Sequence, residues 1–352
     1  DEREFEKVKN IIIMISDGAG YNTHLSTEYW HGGKQPYDNA DFVKFPMTTY
    51  SLRKKGPLGP PPNDNSQDQA LVYDPIKAWD DTALPEGTDK DGDGYLDYFR
   101  GYQWLQATDP DSAGTMSAMV TGLKVYRGAI NVDGFGSPLL TAPEVAKAAG
   151  KSCGSISSVR YNHATPAAAG GAHNISRNNY LDISYEMFGS GILDVMGGPG
   201  HPWYTGTGKL RSRPNLKKSR FDAPLWEVIS SGSGSAGRTT VDGRQFTVYG
   251  SDWEMFDDKA DILNLASGAV TVTPGKKLFI LPRVWGTLQY ERDITQDWDG
   301  DGRIGNKHPA TGVKLDLHFA PVNPGDDSNG DPLIGTVPTL GEMAKAAINV
   351  LD

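Results

Sequence analysis

The run NIIIMISDGAG, residues 10–20, restricts the possible folds more than any other stretch of the chain. Ile11, Ile12, Ile13, Met14 and Ile15 leave no polar face for water, so a strand built from them must be covered on both sides. That is the position of a central strand in a parallel sheet. The run ends in Asp17 and two glycines, and is expected to deliver Asp17 to a loop at the carboxyl edge of the sheet, where ligands collect. Helical spacing follows over 112–124, with Met116, Met119, Val120 and Leu123 apolar, and over 142–150. Strand-like runs lie at 152–161 and 191–200, and a loop, short helix and loop at 163–177. The stretch 336–352 reads as a closing helix with Leu340, Met343, Ala344, Ala347 and Ile348 on one face. Strands alternating with helices predict an α/β fold, a mainly parallel central sheet with helices on both faces. The chain reads as one core over 1–352, incomplete at its C-terminal end, with two excursions. Residues 51–108 are rich in Pro, Asp and Gly, and 201–330 are β-like or irregular.

Composition removes several classes of function. Across 352 residues, 44 acidic side chains against 34 basic ones give a net charge of −10, which argues against binding nucleic acid or anionic lipid. A single cysteine, Cys153, excludes an intrachain disulfide. No apolar run reaches the ~18 residues of a membrane span. The opening DEREFEKVKN lacks the apolar stretch of a signal peptide, so a leader is expected to have been removed or never present.

The acids are clustered. DKDGDGYLD at 89–97 and DWDGDGRIG at 297–305 both carry Asp-x-Asp-x-Asp-Gly. Oxygen donors at alternate positions, with a glycine for the sharp turn, can wrap a hard cation. Asp89, Asp91 and Asp93 would bind by side chain, Tyr95 by its carbonyl, and Asp97 directly or through water. Asp297, Asp299, Asp301 and the Arg303 carbonyl would do the same in the second loop. Arg100 and His308 occupy the place of a bidentate glutamate, so structural calcium sites are expected here and a calmodulin-like sensor is not. Three packed carboxylates repel one another without a cation, which favours calcium over a merely solvated turn.

Ser112 follows Asp111 at the front of an apolar helical run, where a serine ordinarily caps the helix. The same place points its oxygen into the positive helix end, which favours an alkoxide and then a phosphate. No Ser-His-Asp spacing offers a base, leaving metal coordination as the common route to activation. His163 and Thr165, two apart, can be aimed at one site from an extended loop, Asp17 can bridge cations, and Arg177 offers a planar fork to a tetrahedral anion.

Together NIIIMISDGAG, DSAGTMSAMVTGLKVYRGAINVDG, AKAAGKSCGSISSVRYNHATPAAAGGAHNISRNNY, ILDVMGGPG and VPTLGEMAKAAI resemble the alkaline phosphatases, in that family's order. The resemblance leaves 51–108 and 201–330 uncovered. It implies that Asp17 bridges the second zinc and the magnesium, and that Ser112 is the phosphorylated nucleophile touching that zinc. His163 and Thr165 become magnesium ligands, and Arg177 the phosphate clamp, with Asp111 beside it in support. The implied reaction is hydrolysis of small phosphomonoesters through a phosphoserine, releasing inorganic phosphate. A periplasmic or secreted location follows from the family, and a homodimer is compatible with it.

Three departures stand out. SDGAG replaces the usual Gly-Asp-Gly-Met-Gly around Asp17. The interval from His163 to Arg177 is one residue longer than usual, at Gly170-Gly171, where a local bulge is expected. The family's Glu-Gly-Gly strand, Asp-x-x-x-His, Asp-His pair and last His, which supply most zinc ligands, do not follow the closing helix. A C-terminal fragment or second chain is therefore expected to complete the site. Two other readings compete: a non-catalytic, calcium-stabilised binding protein that keeps half of the site, and a phosphodiesterase or sulfatase of the same superfamily.

Overall fold

The computed structural model describes residues 9–45, 47–54, 65–89, 96–288 and 334–351. The chain divides into two units, Asp1–Thr49 and Tyr50–Asp352.

In the first unit, helix α1 (Tyr21–His31) ends at Gly32, which takes the left-handed φ of 68°. Residues 10–16 belong to no strand, contrary to the expectation of a central one. Ile11 is 82% and Met14 91% exposed. A parallel strand is held by ladder bonds from neighbours far away in sequence. Apolar continuity cannot supply those partners, and none pairs with this run among the described residues. Asp17 stands in the turn that follows it.

The second unit contains, besides short helical turns, α2 (Arg100–Thr108), α3 (Ser112–Thr121), α4 (Ala142–Ala148), β1 (Gly154–Ile156), α5 (Ala164–Ala169), α6 (Tyr180–Gly189) and β2 (Val195–Gly197). These are followed by α7 (Ala223–Ser231), β3 (Ser235–Thr239), β4 (Gln245–Tyr249), β5 (Trp253–Phe256), α8 (Lys259–Ser267), β6 (Lys277–Ile280) and α9 (Leu340–Leu351). A four-stranded sheet runs in the order β1-β2-β6-β5, and all three of its pairings are parallel. The sheet extends into the stretch 201–330, from which β5 and β6 come. A separate hairpin, β3-β4, turns at Asp242-Gly243, where Gly243 takes φ +84°.

The two inner strands, β2 and β6, are buried on both faces, and alternation decides which residue meets which layer. Val195, Leu278 and Ile280 pack with Ile262 and Leu265 of α8 and with Met343 and Ala346 of α9. Met196 and Phe279 point the other way, into a cluster with Tyr161, Ile183 and Phe188 of the α6 side and Leu225 of α7. Helices therefore cover both faces, as the α/β class requires. On α9 the buried stripe is Met343, Ala346 and Ala347, while Leu340 and Ile348 are exposed, a rotation of the expected face. The same happens on α3. Met119 and Leu123 are exposed, and Ser117 is buried in their place, accepting a bond from Asn131 N–H at 2.8 Å. A polar side chain with a buried partner competes for the inner face, which apolar spacing alone does not register.

α4 starts with a capping box between Thr141 and Glu144. Beside it His173 is 4% exposed, with Nδ1 3.1 Å from Glu186 Oε1 and Nε2 3.0 Å from the Leu139 carbonyl. Both ring nitrogens face acceptors, an arrangement that suits the imidazolium. Burial opposes the charge, but the hydrogen bond and charge of Glu186, then the Leu139 carbonyl and Glu144, outweigh it and raise the pKa above 6.5. A pKa raised by folding adds stability that is full below the unfolded value and is lost as pH rises through the folded one. The denaturation midpoint is expected to fall as pH rises from about 6.5, and His173→Gln is expected to flatten that slope; urea titrations across pH measure both. No helix among the described residues is long and apolar enough to cross a membrane.

Candidate active site

Asp111, not Ser112, caps α3. Its backbone is extended, and its Oδ1 accepts the N–H of Gly114 at 3.1 Å, leaving Ser112 as the first helical residue. The same Oδ1 accepts the Gly128 N–H at 2.9 Å, and Oδ2 accepts Arg177 Nη1 at 2.9 Å. One carboxylate therefore joins the helix start, the segment beyond the helix and the arginine, 66 residues away in sequence. The pair is partly buried, with side chains 10% and 23% exposed for Asp111 and Arg177, so it is less screened than a surface ion pair.

Backbone bonds fix the other end of that link. Ile130 and Asn174 exchange N–H···O bonds of 2.9 and 2.8 Å, and the Arg177 N–H donates to the Gly128 carbonyl at 2.8 Å. Asn131, fully buried with φ 47°, donates from Nδ2 to the carbonyls of Ala168 and Ala172 at 2.9 and 2.8 Å. It ties the end of α5 to the segment that holds Arg177. α5 stops at Gly170-Gly171, where Gly171 takes φ +77° and its N–H donates to the Ala168 carbonyl at 3.1 Å.

His163 is the N-cap residue of α5, and Thr165 lies in its first turn. Arg177 Nη2 lies 3.5 Å from His163 Nε2, the outer limit of a hydrogen bond, with the arginine as donor. α5 packs against α3. The structure thus links Asp111, His163 and Arg177 by contact, with Ser112 next to Asp111 at the N-terminus of α3 and Thr165 the second residue of α5. Asp17 belongs to the first unit. Sequence reasoning missed Gly128 and Asn131 as supports; Asn131, a polar residue amid Ala129, Ile130 and Val132, is a signal that could have been followed.

Chemically, the arrangement suits an anion held beside a hydroxyl. The N–H groups of Ser112 and Ala113, at the start of a ten-residue helix whose Gly114 N–H is taken by Asp111, and one guanidinium edge favour negative charge beside the Ser112 oxygen. Arg177 uses one of its five N–H groups on Asp111, and the fork keeps donors for an oxyanion. Among the described residues, no group of three or more His, Cys, Asp or Glu side chains could hold a metal. The donors of the metal reading are one imidazole, two hydroxyls and one carboxylate, an oxygen-rich set that suits a hard cation. Zinc favours nitrogen and sulfur donors in greater number.

Of the expected calcium ligands, Asp91, Asp93, Tyr95, Asp297, Asp299, Asp301 and Arg303 lie outside the described residues. Asp89 and Asp97 are described; Asp97 is buried and its N–H donates to the Thr88 carbonyl at 2.7 Å.

Comparison with known proteins gives a consistent picture. The family model described as alkaline phosphatase matches residues 95–195. Alkaline phosphatase 4 of Bacillus subtilis (strain 168) is 30% identical over 204 residues, 56% of this chain and 34% of that protein. Alkaline phosphatase 3 of the same strain is 38% identical over 174 residues, 47% of this chain and 34% of that protein. The chain spans about a third of the length of these curated relatives. The crystal structure of a cold-active alkaline phosphatase from a psychrophilic Shewanella sp. covers 79% of this chain and 47% of its own, at 21% identity and a TM-score of 0.40. Residues 95–195, which hold Asp111, Ser112, His163, Thr165 and Arg177, are the part of the chain that the alkaline phosphatase family model matches.

Proposed function

We propose that the chain hydrolyses small phosphomonoesters, with Ser112 as nucleophile and Arg177 as phosphate clamp. The observation that carries this reading is the Asp111 carboxylate, which both caps the helix of Ser112 and holds Arg177. Nucleophile and clamp then share one support, so they keep their mutual position as substrate enters. Two oxygens of the transferred phosphate meet the guanidinium, and the charge developing on them faces the N-terminus of α3. The Ser112 oxygen forms the new P–O bond as the bond to the leaving alkoxide breaks, giving a phosphoserine. Water then opens that bond, releasing inorganic phosphate and restoring the hydroxyl.

Asp17, His163 and Thr165 would hold magnesium, and Asp17 with Ser112 would face zinc. A divalent cation bound there supplies the Lewis acidity that brings a hydroxyl's pKa towards neutrality. The further zinc donors would come from outside the described residues. Calcium in the acidic loops would be structural, and such loops suit a periplasmic or extracellular location, where calcium is plentiful. The test is to incubate the protein with phenyl phosphate, zinc and magnesium, quench in acid, and map phosphate by peptide mass spectrometry. Phosphate on Ser112 is expected. Its absence from Ser112, with phosphate binding retained, would instead favour a binding protein.

A further inference from the structure

Immediately after Arg177, residues Asn178, Asn179 and Tyr180 line a cleft of about 440 Å³, a volume typical of small-molecule sites. Lys217, Arg220 and Arg238 also line it. The one carboxylate among its lining residues, Asp182, is 1% exposed and already engaged, accepting Arg238 Nε at 2.5 Å and the Val241 N–H at 2.9 Å. Arg238 is thereby neutralised. Among the described residues, no carboxylate lies within ion-pair distance of Lys217 or Arg220.

Arg220 is held in an unusual way. It takes φ 66°, a conformation that among the described residues only Asn131 shares outside glycine. A left-handed arginine costs on the order of 1 kcal/mol, so its surroundings must impose it. Its guanidinium lies 4.1 Å from the ring centre of Tyr180, and its Nε is buried without a hydrogen-bond partner. Arg160 approaches the same ring at 5.7 Å, and its Nε is likewise buried and unpartnered. Burial, with the charge of Arg220 acting in the same direction, pulls the Arg160 pKa below the usual guanidinium value. Two guanidiniums thus share one tyrosine, and among the described residues no carboxylate pairs with either, an arrangement that favours an anion beside them. Both flanks are tied to the active site. Asn178 follows Arg177 directly, and the His163 N–H donates to the Arg160 carbonyl at 2.8 Å.

We infer that this cleft is a second anion subsite, which takes a phosphate group on the part of the substrate that is not transferred. The preferred substrates are then phosphomonoesters carrying a second phosphate. This rests on the reading of Arg177 as the clamp of the transferred group. Lys217 and Arg220 supply the charge, and the side-chain amide of Asn178 supplies a neutral donor, while that of Asn179 is held by Asn174 Oδ1 at 2.7 Å.

Two measurements on the whole chain separate this inference from the reading beneath it. The first is calorimetric titration with inorganic phosphate. Two binding events are expected, one lost in Arg177→Ala and the other in the double variant Lys217→Gln, Arg220→Gln. A single event, unaffected by the double variant, would overturn the subsite. The second is the ratio of kcat/KM for butane-1,4-diol bisphosphate over that for butyl phosphate. The ratio is expected to fall at least about tenfold in the double variant, which removes two charge-assisted contacts each worth about that factor; an unaltered ratio would count against the subsite. Should neither substrate be hydrolysed, the phosphatase reading fails, and the titration still decides whether the cleft binds an anion. Lys217 is exposed, so Lys217→Gln alone, expected to weaken the second event, replaces the double variant if Arg220→Gln does not fold.

Discussion

Ser112→Ala is expected to lower the hydrolysis of phenyl phosphate by on the order of 10⁴-fold or more, while the unfolding midpoint changes little. The two halves of this result rest on different residues. The capping bond at the start of α3 comes from Asp111, whose Oδ1 accepts the Gly114 N–H, so losing the Ser112 hydroxyl removes no cap. Alanine at the first helical position also has a higher helix propensity than serine. Arg177 stays paired with Asp111, and phosphate is expected to bind the variant with an affinity within a few-fold of the original. What disappears is the atom that forms the P–O bond, and with it the covalent intermediate. Initial rates, a urea titration and a calorimetric titration with inorganic phosphate on the same sample check all three parts. A variant that retains more than about a tenth of the activity would show that another group attacks phosphorus.

Much of this site is legible in the amino-acid sequence because it lies at the ends of local elements. An Asp-Ser pair ahead of an apolar run marks a helix start, and Thr141 with Glu144 marks another; capping chemistry acts over three residues, so a linear reading can find it. The apolar run Leu278–Leu281 in the stretch 201–330 marks a buried segment in the same way, but its place between β2 and β5 depends on pairings more than 20 residues apart. The Asp111–Arg177 link is of this second kind. So is the inward turn of Ser117 in place of Met119, which requires Asn131 from the following segment. Residues 10–16 show the converse case. Their apolar continuity says that cover is needed, and it cannot name the strand that would provide it. Periodicity reads the demand of a segment for burial; partners are chosen by the fold as a whole.

Phe279→Ala is expected to destabilise the second unit by about 3–5 kcal/mol, the cost of removing a large aromatic ring from a packed interior. Phe279 is fully buried on β6, between two other strands of the sheet. Its ring meets Tyr161 at 5.1 Å and Phe188 at 5.0 Å between centroids, at interplanar angles of 77° and 81°. Phe188 in turn meets Trp253 at 5.1 Å, so four rings from β5, β6, α6 and the loop after β1 lean on one another edge to face. These neighbours belong to separate strands and a helix, which limits how far the gap can close, and the cost should fall in the upper part of the range. The effect should also reach the site. Tyr161 donates its hydroxyl to Ser184 Oγ at 3.0 Å, and Asn162 Nδ2 donates to the same oxygen at 2.7 Å. Those two residues sit between Arg160 and His163, so a cavity beneath Tyr161 loosens the loop that carries both. Ile76→Ala, at a position 84% exposed, is the control and should stay within about 0.5 kcal/mol. Urea unfolding of the two variants measures the difference. Equal midpoints would mean that the ring cluster collapses around the missing side chain, and that the sheet is held chiefly by α8 and α9 on its opposite face.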